Sequence, residues 1–248
     1  MRAIIGPVPT VLSLQRLSKS FGALKVIDDL SLEVAEGEAL GIIGPNGAGK
    51  TTLFNLVAGE LRPDAGTIHF AGSDITSLSM HARCRRGIGR TYQIPHPFSG
   101  MTVFENLLVA AAFGTGRAES ACYASCVDIL ERTGLAGKAN RPSGSLTLLE
   151  RKRLELARAL AVEPKLLLLD EIAGGLTESE CTSLIETIRD LHRSGVSIVW
   201  IEHVVHALLA AVERLVVLNF GQRIAEGDPA EVIRGRAVQE VYMGLEQE

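Results

Sequence analysis

Short apolar runs bounded by turn residues alternate along the chain with longer stretches of helical spacing. Such alternation predicts an α/β fold, a mostly parallel sheet flanked by helices. Leu30–Val34 and Ala39–Ile43 read as strands separated by a turn at Glu36-Gly37. Lys50–Gly59 reads as a helix, followed by the turn Arg62-Pro63-Asp64-Ala65-Gly66. Thr67–Phe70 and Ile88–Tyr92 read as further strands. From Met101 to Ala161 helical patterns dominate, with breaks at Gly114–Gly116 and at Asn140-Arg141-Pro142-Ser143-Gly144. Strand-like runs return at Lys165–Leu169, Ser197–Ile201 and Leu215–Leu218. The densest apolar stretches, Leu166–Leu169 and Val196–Ile201, have the length of buried strands, and none approaches the ~18 residues of a membrane span. The expected organisation is one unit: an α/β core over about 10–98 and 162–235, a helical insertion over about 99–161, and a tail over about 236–248.

Composition narrows this picture. Of 248 residues, 46% are hydrophobic and 22% charged, which excludes wholesale disorder; with 4% aromatics, the core must be aliphatic. A net charge of −4 argues against a general nucleic-acid binder. Cys122 and Cys126 suit one face of a helix, but with Cys84 and Cys181 they match no zinc pattern and read as ordinary reduced thiols. The stretch Met1 to Leu12, broken by Pro7 and Pro9, does not read as a secretory leader. A soluble intracellular protein is expected, one that would serve a membrane only from its side.

The chemistry begins at Gly44-Pro45-Asn46-Gly47-Ala48-Gly49-Lys50-Thr51, which fits the phosphate loop G-x-x-x-x-G-K-[ST] at every fixed position. A predicted strand feeds it and a predicted helix follows, so backbone N–H groups can curl around phosphates at a helix N-terminus. Lys50 is expected to reach the β/γ-phosphates and the Thr51 hydroxyl to hold Mg²⁺, with Thr52 next to it. The second signal is Leu166-Leu167-Leu168-Leu169-Asp170-Glu171, an aliphatic strand ending in two carboxylates. Asp170 is placed to hold Mg²⁺, leaving Glu171 to polarise an attacking water, as phosphoryl transfer requires.

With these residues in order, the sequence resembles the ATP-binding subunits of ABC transporters over almost its full length. That resemblance implies a RecA-like P-loop NTPase core with an inserted helical signature subdomain, and ATP and Mg²⁺ as ligands. It also implies roles for residues that are uninformative singly. Phe21, in Lys19-Ser20-Phe21-Gly22, matches the aromatic that stacks on adenine. Gln93 matches the Q-loop glutamine, which contacts Mg²⁺ and the attacking water. His203 matches the switch histidine, which contacts the γ-phosphate. Gly174-Gly175-Leu176-Thr177 falls at the D-loop and Leu146-Thr147-Leu148-Leu149-Glu150 at the signature. Gly87-Ile88-Gly89-Arg90-Thr91-Tyr92-Gln93-Ile94-Pro95, followed by Met101-Thr102-Val103-Phe104-Glu105-Asn106-Leu107-Leu108-Val109-Ala110, is similar to importers of branched-chain amino acids, as is the ending Val241-Tyr242-Met243-Gly244. The resemblance thus implies an importer ATPase, peripheral on the cytoplasmic face of the inner membrane. It would be partnered by a second ATP-binding chain, a transmembrane permease and, indirectly, a periplasmic solute-binding protein. An exporter of lipid or polysaccharide and a soluble iron–sulfur assembly ATPase are the alternatives.

Four positions depart from the family pattern. Leu148 and Leu149 replace the two signature glycines, although Thr147 keeps a hydroxyl and the helix behind it, Glu150 to Leu160, keeps its pattern. Either the N–H groups at that helix start still serve a partner's γ-phosphate, or this chain supplies a weakened signature to a non-identical sister chain. Ile172 replaces the usual proline after the glutamate, and Thr177 stands where the D-loop commonly carries Asp or Asn. The basic cluster Arg83, Arg85, Arg86 and Arg90 reads either as part of a docking surface or as a solvated helix face.

Overall fold

The computed structural model describes residues 8–243; residues 1–7 of the Met1–Leu12 stretch and Gly244–Glu248 of the expected tail lie outside the described residues. In chain order the strands are β1 (Thr10–Phe21), β2 (Leu24–Ala35), β3 (Ala39–Ile43), β4 (Ala65–Phe70), β5 (Ser73–Asp74), β6 (Ile88–Arg90), β7 (Leu166–Asp170), β8 (Ser197–Ile201), β9 (Arg214–Asn219) and β10 (Gln222–Gly227). The helices are α1 (Lys50–Ala58), α2 (Met80–Cys84), α3 (Val103–Thr115), α4 (Glu119–Arg132), α5 (Leu148–Leu160), α6 (Glu178–Arg193), α7 (Val205–Ala211), α8 (Pro229–Arg234) and α9 (Arg236–Met243).

Two sheets result. A six-stranded sheet has the order β10-β9-β3-β8-β7-β6, parallel except for the antiparallel β10 edge. A four-stranded sheet has the order β2-β1-β4-β5 and is antiparallel throughout. Leu30–Val34 and Thr67–Phe70 therefore belong to a second sheet, not to the parallel one that alternation along the chain predicts.

Strands β3, β7 and β8 are buried at every residue, as parallel strands covered on both faces must be. Their side chains divide by parity. Leu40, Ile42, Leu166, Leu168, Val199 and Ile201 pack with α1 and the antiparallel sheet. Leu167, Leu169, Ile198 and Trp200 pack with α3 to α7 on the opposite face. Each fully buried leucine in this layer contributes about 1.5–3 kcal/mol of burial energy. The central sheet is thus sandwiched, and β3 runs through its interior with the phosphate loop at its carboxyl end, where ligands of open α/β sheets bind.

The residues between β6 and β7 form α3, α4 and α5, the last two joined through two short 3₁₀ turns, with no strand among them. Gly116 ends α3 in the left-handed conformation. Cys122 and Cys126 are buried side by side along α4, Cys181 is buried on α6, and all four cysteines are free thiols.

Candidate functional site

The phosphate loop is shaped by glycines that no other residue can replace. Gly49 lies at φ +100°, and a Cβ there would meet the Val26 carbonyl oxygen at 2.6 Å. A Cβ on Gly44 would meet the Leu218 carbonyl oxygen at 2.3 Å. The loop is pinned from behind as Gly221 N–H donates to the Ala48 carbonyl (3.0 Å). Because Gly49 is the N-cap of α1, no side-chain oxygen caps the helix, and its first-turn N–H groups face the loop's concave side.

Asn46, Gly47, Ala48, Gly49, Lys50, Thr51 and Thr52 line one cleft together with Val26 of β2, Glu171 and His203. Lys50 is nearly buried and donates to the carbonyls of Gly44 (2.6 Å) and Pro45 (3.0 Å). Burial lowers its pKa, while the Glu171 and Asp170 carboxylates oppose that shift. Thr51 is exposed at the cleft.

Across the cleft, Glu171 follows the last residue of β7, with its N–H donating to the Ile201 carbonyl (2.9 Å). Its backbone sits at φ +46°, a left-handed conformation that strains a non-glycine residue. The carboxylate is held between two side chains. Gln93 Nε2 donates to Oε2 at 2.5 Å, and His203 Nε2 lies 2.8 Å from Oε1. The His203 N–H donates to the buried Glu202 carboxylate (3.0 Å), which also accepts from Ala173 N–H (2.7 Å) and Val204 N–H (3.3 Å). Burial raises the Glu202 pKa, and these three N–H donors oppose it.

Asp170 is almost fully buried. Its Oδ2 accepts from Arg90 Nη2 at 3.2 Å, and its N–H donates to the Thr91 hydroxyl at 3.1 Å. Burial raises the Asp170 pKa; the Arg90 guanidinium pulls it back. Arg90 also donates to Asn55 Oδ1 (2.7 Å) and Glu60 Oε1 (2.9 Å) and packs over the Tyr92 ring.

Sequence reasoning thus brings together the loop, Glu171, His203, Gln93 and Asp170. Two expected residues stand elsewhere in this chain. Phe21 ends β1 at the hairpin tip, half exposed, with the Lys19 ammonium 5.7 Å from its ring centre. Thr147 is the N-cap of α5, where its hydroxyl accepts from Glu150 N–H and its N–H donates to the Glu150 carboxylate. The basic cluster is not a surface. Arg83 is buried and donates to the carbonyls of Leu56, Val57, Leu78 and Thr76, and Arg90 is paired inside; only Arg85 and Arg86 are exposed. Sequence reasoning missed Arg90 as a partner of Asp170, and with it Glu202 and Lys152. Their partners come from distant segments, so no local pattern marks them.

The donor set matches a nucleotide triphosphate. Uncapped N–H groups, an ammonium and hydroxyls face two carboxylates, of which Asp170 could help carry a divalent cation, and a glycine cradle has no room for side chains. This arrangement defines a P-loop ATPase.

The family model for ABC transporters matches residues 27–174, so the chain belongs to the ABC transporter ATP-binding family and is an ABC-type ATP hydrolase, the ATPase subunit of a transporter. It is 35% identical over 235 residues to the lipopolysaccharide export system ATP-binding protein LptB of Haemophilus influenzae, covering 95% of this chain and 98% of that protein. It is 36% identical over 249 residues to the high-affinity branched-chain amino acid transport ATP-binding protein LivG of Salmonella typhimurium, covering 94% and 98%. Among solved structures, a nucleotide-free ATP-binding cassette of an ABC transporter superposes with a TM-score of 0.87 at 31% identity, covering 94% of this chain and 98% of that one.

Proposed function

We propose that this chain hydrolyses ATP to drive uptake of branched-chain or related amino acids through a separate permease. It would work from the cytoplasmic face of the inner membrane, its permease being fed by a periplasmic solute-binding protein. Among the described residues no helix is long and apolar enough to cross a membrane. The observation that carries the hydrolytic part is the Glu171 carboxylate, fixed between Gln93 and His203 across the cleft from the phosphate loop.

In this reading the loop N–H groups and Lys50 bind the β- and γ-phosphates, and Phe21 stacks on the base. Thr51, Asp170 and Gln93 hold Mg²⁺, which when bound neutralises charge on the phosphates. Glu171 orients the attacking water and accepts its proton late, because the transition state is loose. His203 holds Glu171 and faces the γ-phosphate. Thr147 and the start of α5 would face the nucleotide of a second ATP-binding chain, a sister subunit or a second copy.

Support for import comes from the resemblance of the string around Gln93 to branched-chain importers, and its placement supports a permease partner. The string resembling branched-chain importers contributes Gly89, Arg90, Tyr92, Val109 and Ala110 to an apolar groove beside α2 and α5, with Phe98 and Phe113 exposed on its rim. Such a surface suits a permease segment. The relatives named for lipopolysaccharide export favour a second reading, an exporter subunit.

The test uses the complex purified through a tag on this chain. Glu171→Gln should retain ATP binding and lose Mg²⁺-dependent phosphate release by at least ten-fold, and unchanged release would sink the role of Glu171. Reconstituted in liposomes with its permease, the wild-type complex should accumulate leucine with a binding protein present. Movement of lipid instead would establish the export reading.

A further inference from the structure

Lys152 is the side chain at the centre of the site to which no role falls in the reading above. It lies on α5, near the helix start, and is 4% exposed. Its ammonium donates to two main-chain carbonyls from separate segments, Gln93 O at 2.9 Å and Glu171 O at 3.1 Å. Gln93 and Glu171 are themselves joined through their side chains, so the three residues close a ring of hydrogen bonds. Lys152 holds the two backbones and Gln93 holds the carboxylate.

Burying an ammonium is unfavourable unless it is hydrogen-bonded. Burial lowers the pKa of Lys152, and Glu202 is the leading carboxylate that opposes this. A neutral apolar side chain would fill the space without that cost, but it would not tie two loops together through one atom. One of the carbonyls belongs to Glu171, whose φ of +46° is strained and needs to be held from outside.

We propose that Lys152 is a positioning residue. By gripping the main chain at Gln93 and Glu171 at once, it keeps the Glu171 carboxylate aimed at the phosphate loop only while α5 is seated against both loops. Movement of α5 away from the sheet would then release the carboxylate and stop hydrolysis. This makes the helical insertion a sensor for the site, and it rests on the reading of Glu171 as the residue that orients water.

The test measures phosphate release against ATP concentration, and trinitrophenyl-ATP binding, for Lys152→Met, Lys152→Gln and Glu171→Gln in the tagged complex. The expected result for Lys152→Met is a kcat at least ten-fold below wild type, with the trinitrophenyl-ATP Kd within two-fold. Lys152→Gln, whose neutral amide sits one atom short of the ammonium's reach to both carbonyls, carries the same expectation should Lys152→Met fail to fold. A kcat within two-fold of wild type, with Glu171→Gln inactive, overturns the proposal and leaves the hydrolytic reading standing. Parallel losses in kcat and nucleotide affinity mean a merely structural role and also overturn it. An active Glu171→Gln overturns the reading beneath.

Discussion

Arg90 and Asp170 form an ion pair in which both side chains are more than nine-tenths buried. Removing one member of such a pair strands the other charge in a poorly hydrated interior, which typically destabilises by about 3–5 kcal/mol. Arg90→Met should therefore lower the unfolding free energy measured by urea titration by an amount of that order, while Arg85→Met, at an exposed position, should leave it within error. Equal unfolding free energies for the two variants would contradict the pairing. Arg90→Lys should not rescue fully, since one ammonium cannot supply the planar fork that reaches Asn55, Glu60 and Asp170 together. At this scale, legibility in the sequence follows chain distance. Lys50, Thr51 and the Asp170-Glu171 step were readable because their chemistry is set by neighbours a few residues away. The bond between Arg90 and Asp170 spans 80 residues, and those of Lys152 run to two other segments. Only folding brings such partners together, so a buried arginine was read as part of a basic surface.

Among the elements, the fully buried strands β3, β7 and β8 were the most legible, since burial on both faces writes a continuous apolar run. The strands that were missed or cut short break their own alternation. In β1 the register with β2 shifts between Leu14 and Leu17, where Arg16 has φ +50°, and in β2 Asp29 has the same φ. These bulges insert polar residues into an otherwise periodic pattern, so apolar alternation does not mark β1 and marks β2 only from Leu30. β10 is a polar edge strand and has little apolar signal to show. Helix starts, by contrast, carry a repeated device: Thr102-Glu105, Thr147-Glu150 and Thr177-Glu180 are all capping boxes. At the D-loop position, Thr177 is therefore committed to starting α6. Thr177→Ala should cost about 1 kcal/mol in stability at neutral pH. The Thr177 N–H and hydroxyl hold the Glu180 pKa below the usual carboxylate range. A depressed carboxylate stabilises the fold above its unfolded pKa, about 4.3, and loses that contribution as pH falls through the folded value. The stability gap between wild type and Thr177→Ala, followed by urea unfolding, should accordingly narrow on acidification. A gap that widens on acidification would exclude the carboxylate from the cap.

For the whole molecule, the decisive feature is how the two kinds of helix start are distributed. The start of α1 brings no capping side chain to the phosphate loop, whereas at the start of α5 the N–H groups of Thr147 and Glu150 are taken by each other's side chains. At α5 the Thr147 hydroxyl and the Glu150 carboxylate close a capping box, and Glu150 is also paired with Lys138. In the head-to-tail pair that the proposed function implies, the α5 start would face the partner's γ-phosphate. A second copy of this chain would bring Leu148, Leu149 and a carboxylate already seated on the helix N-terminus, which repel and crowd a phosphate that the same terminus would otherwise attract. A sister chain carrying the usual serine and glycines would bring a helix start without those leucines beside the phosphate. ATP should therefore close this chain tightly only against a non-identical partner. Light scattering of Glu171→Gln with ATP and Mg²⁺ should give a monomer mass for this chain alone and a dimer mass once the sister subunit is added. A stable ATP-dependent homodimer would show that the helix start still serves despite its leucines. Glu150→Gln, which removes the charge and keeps the reach of the side chain, then separates the two obstacles. If charge dominates, it should raise homodimer formation; if the leucines dominate, only Leu148→Gly with Leu149→Gly should do so.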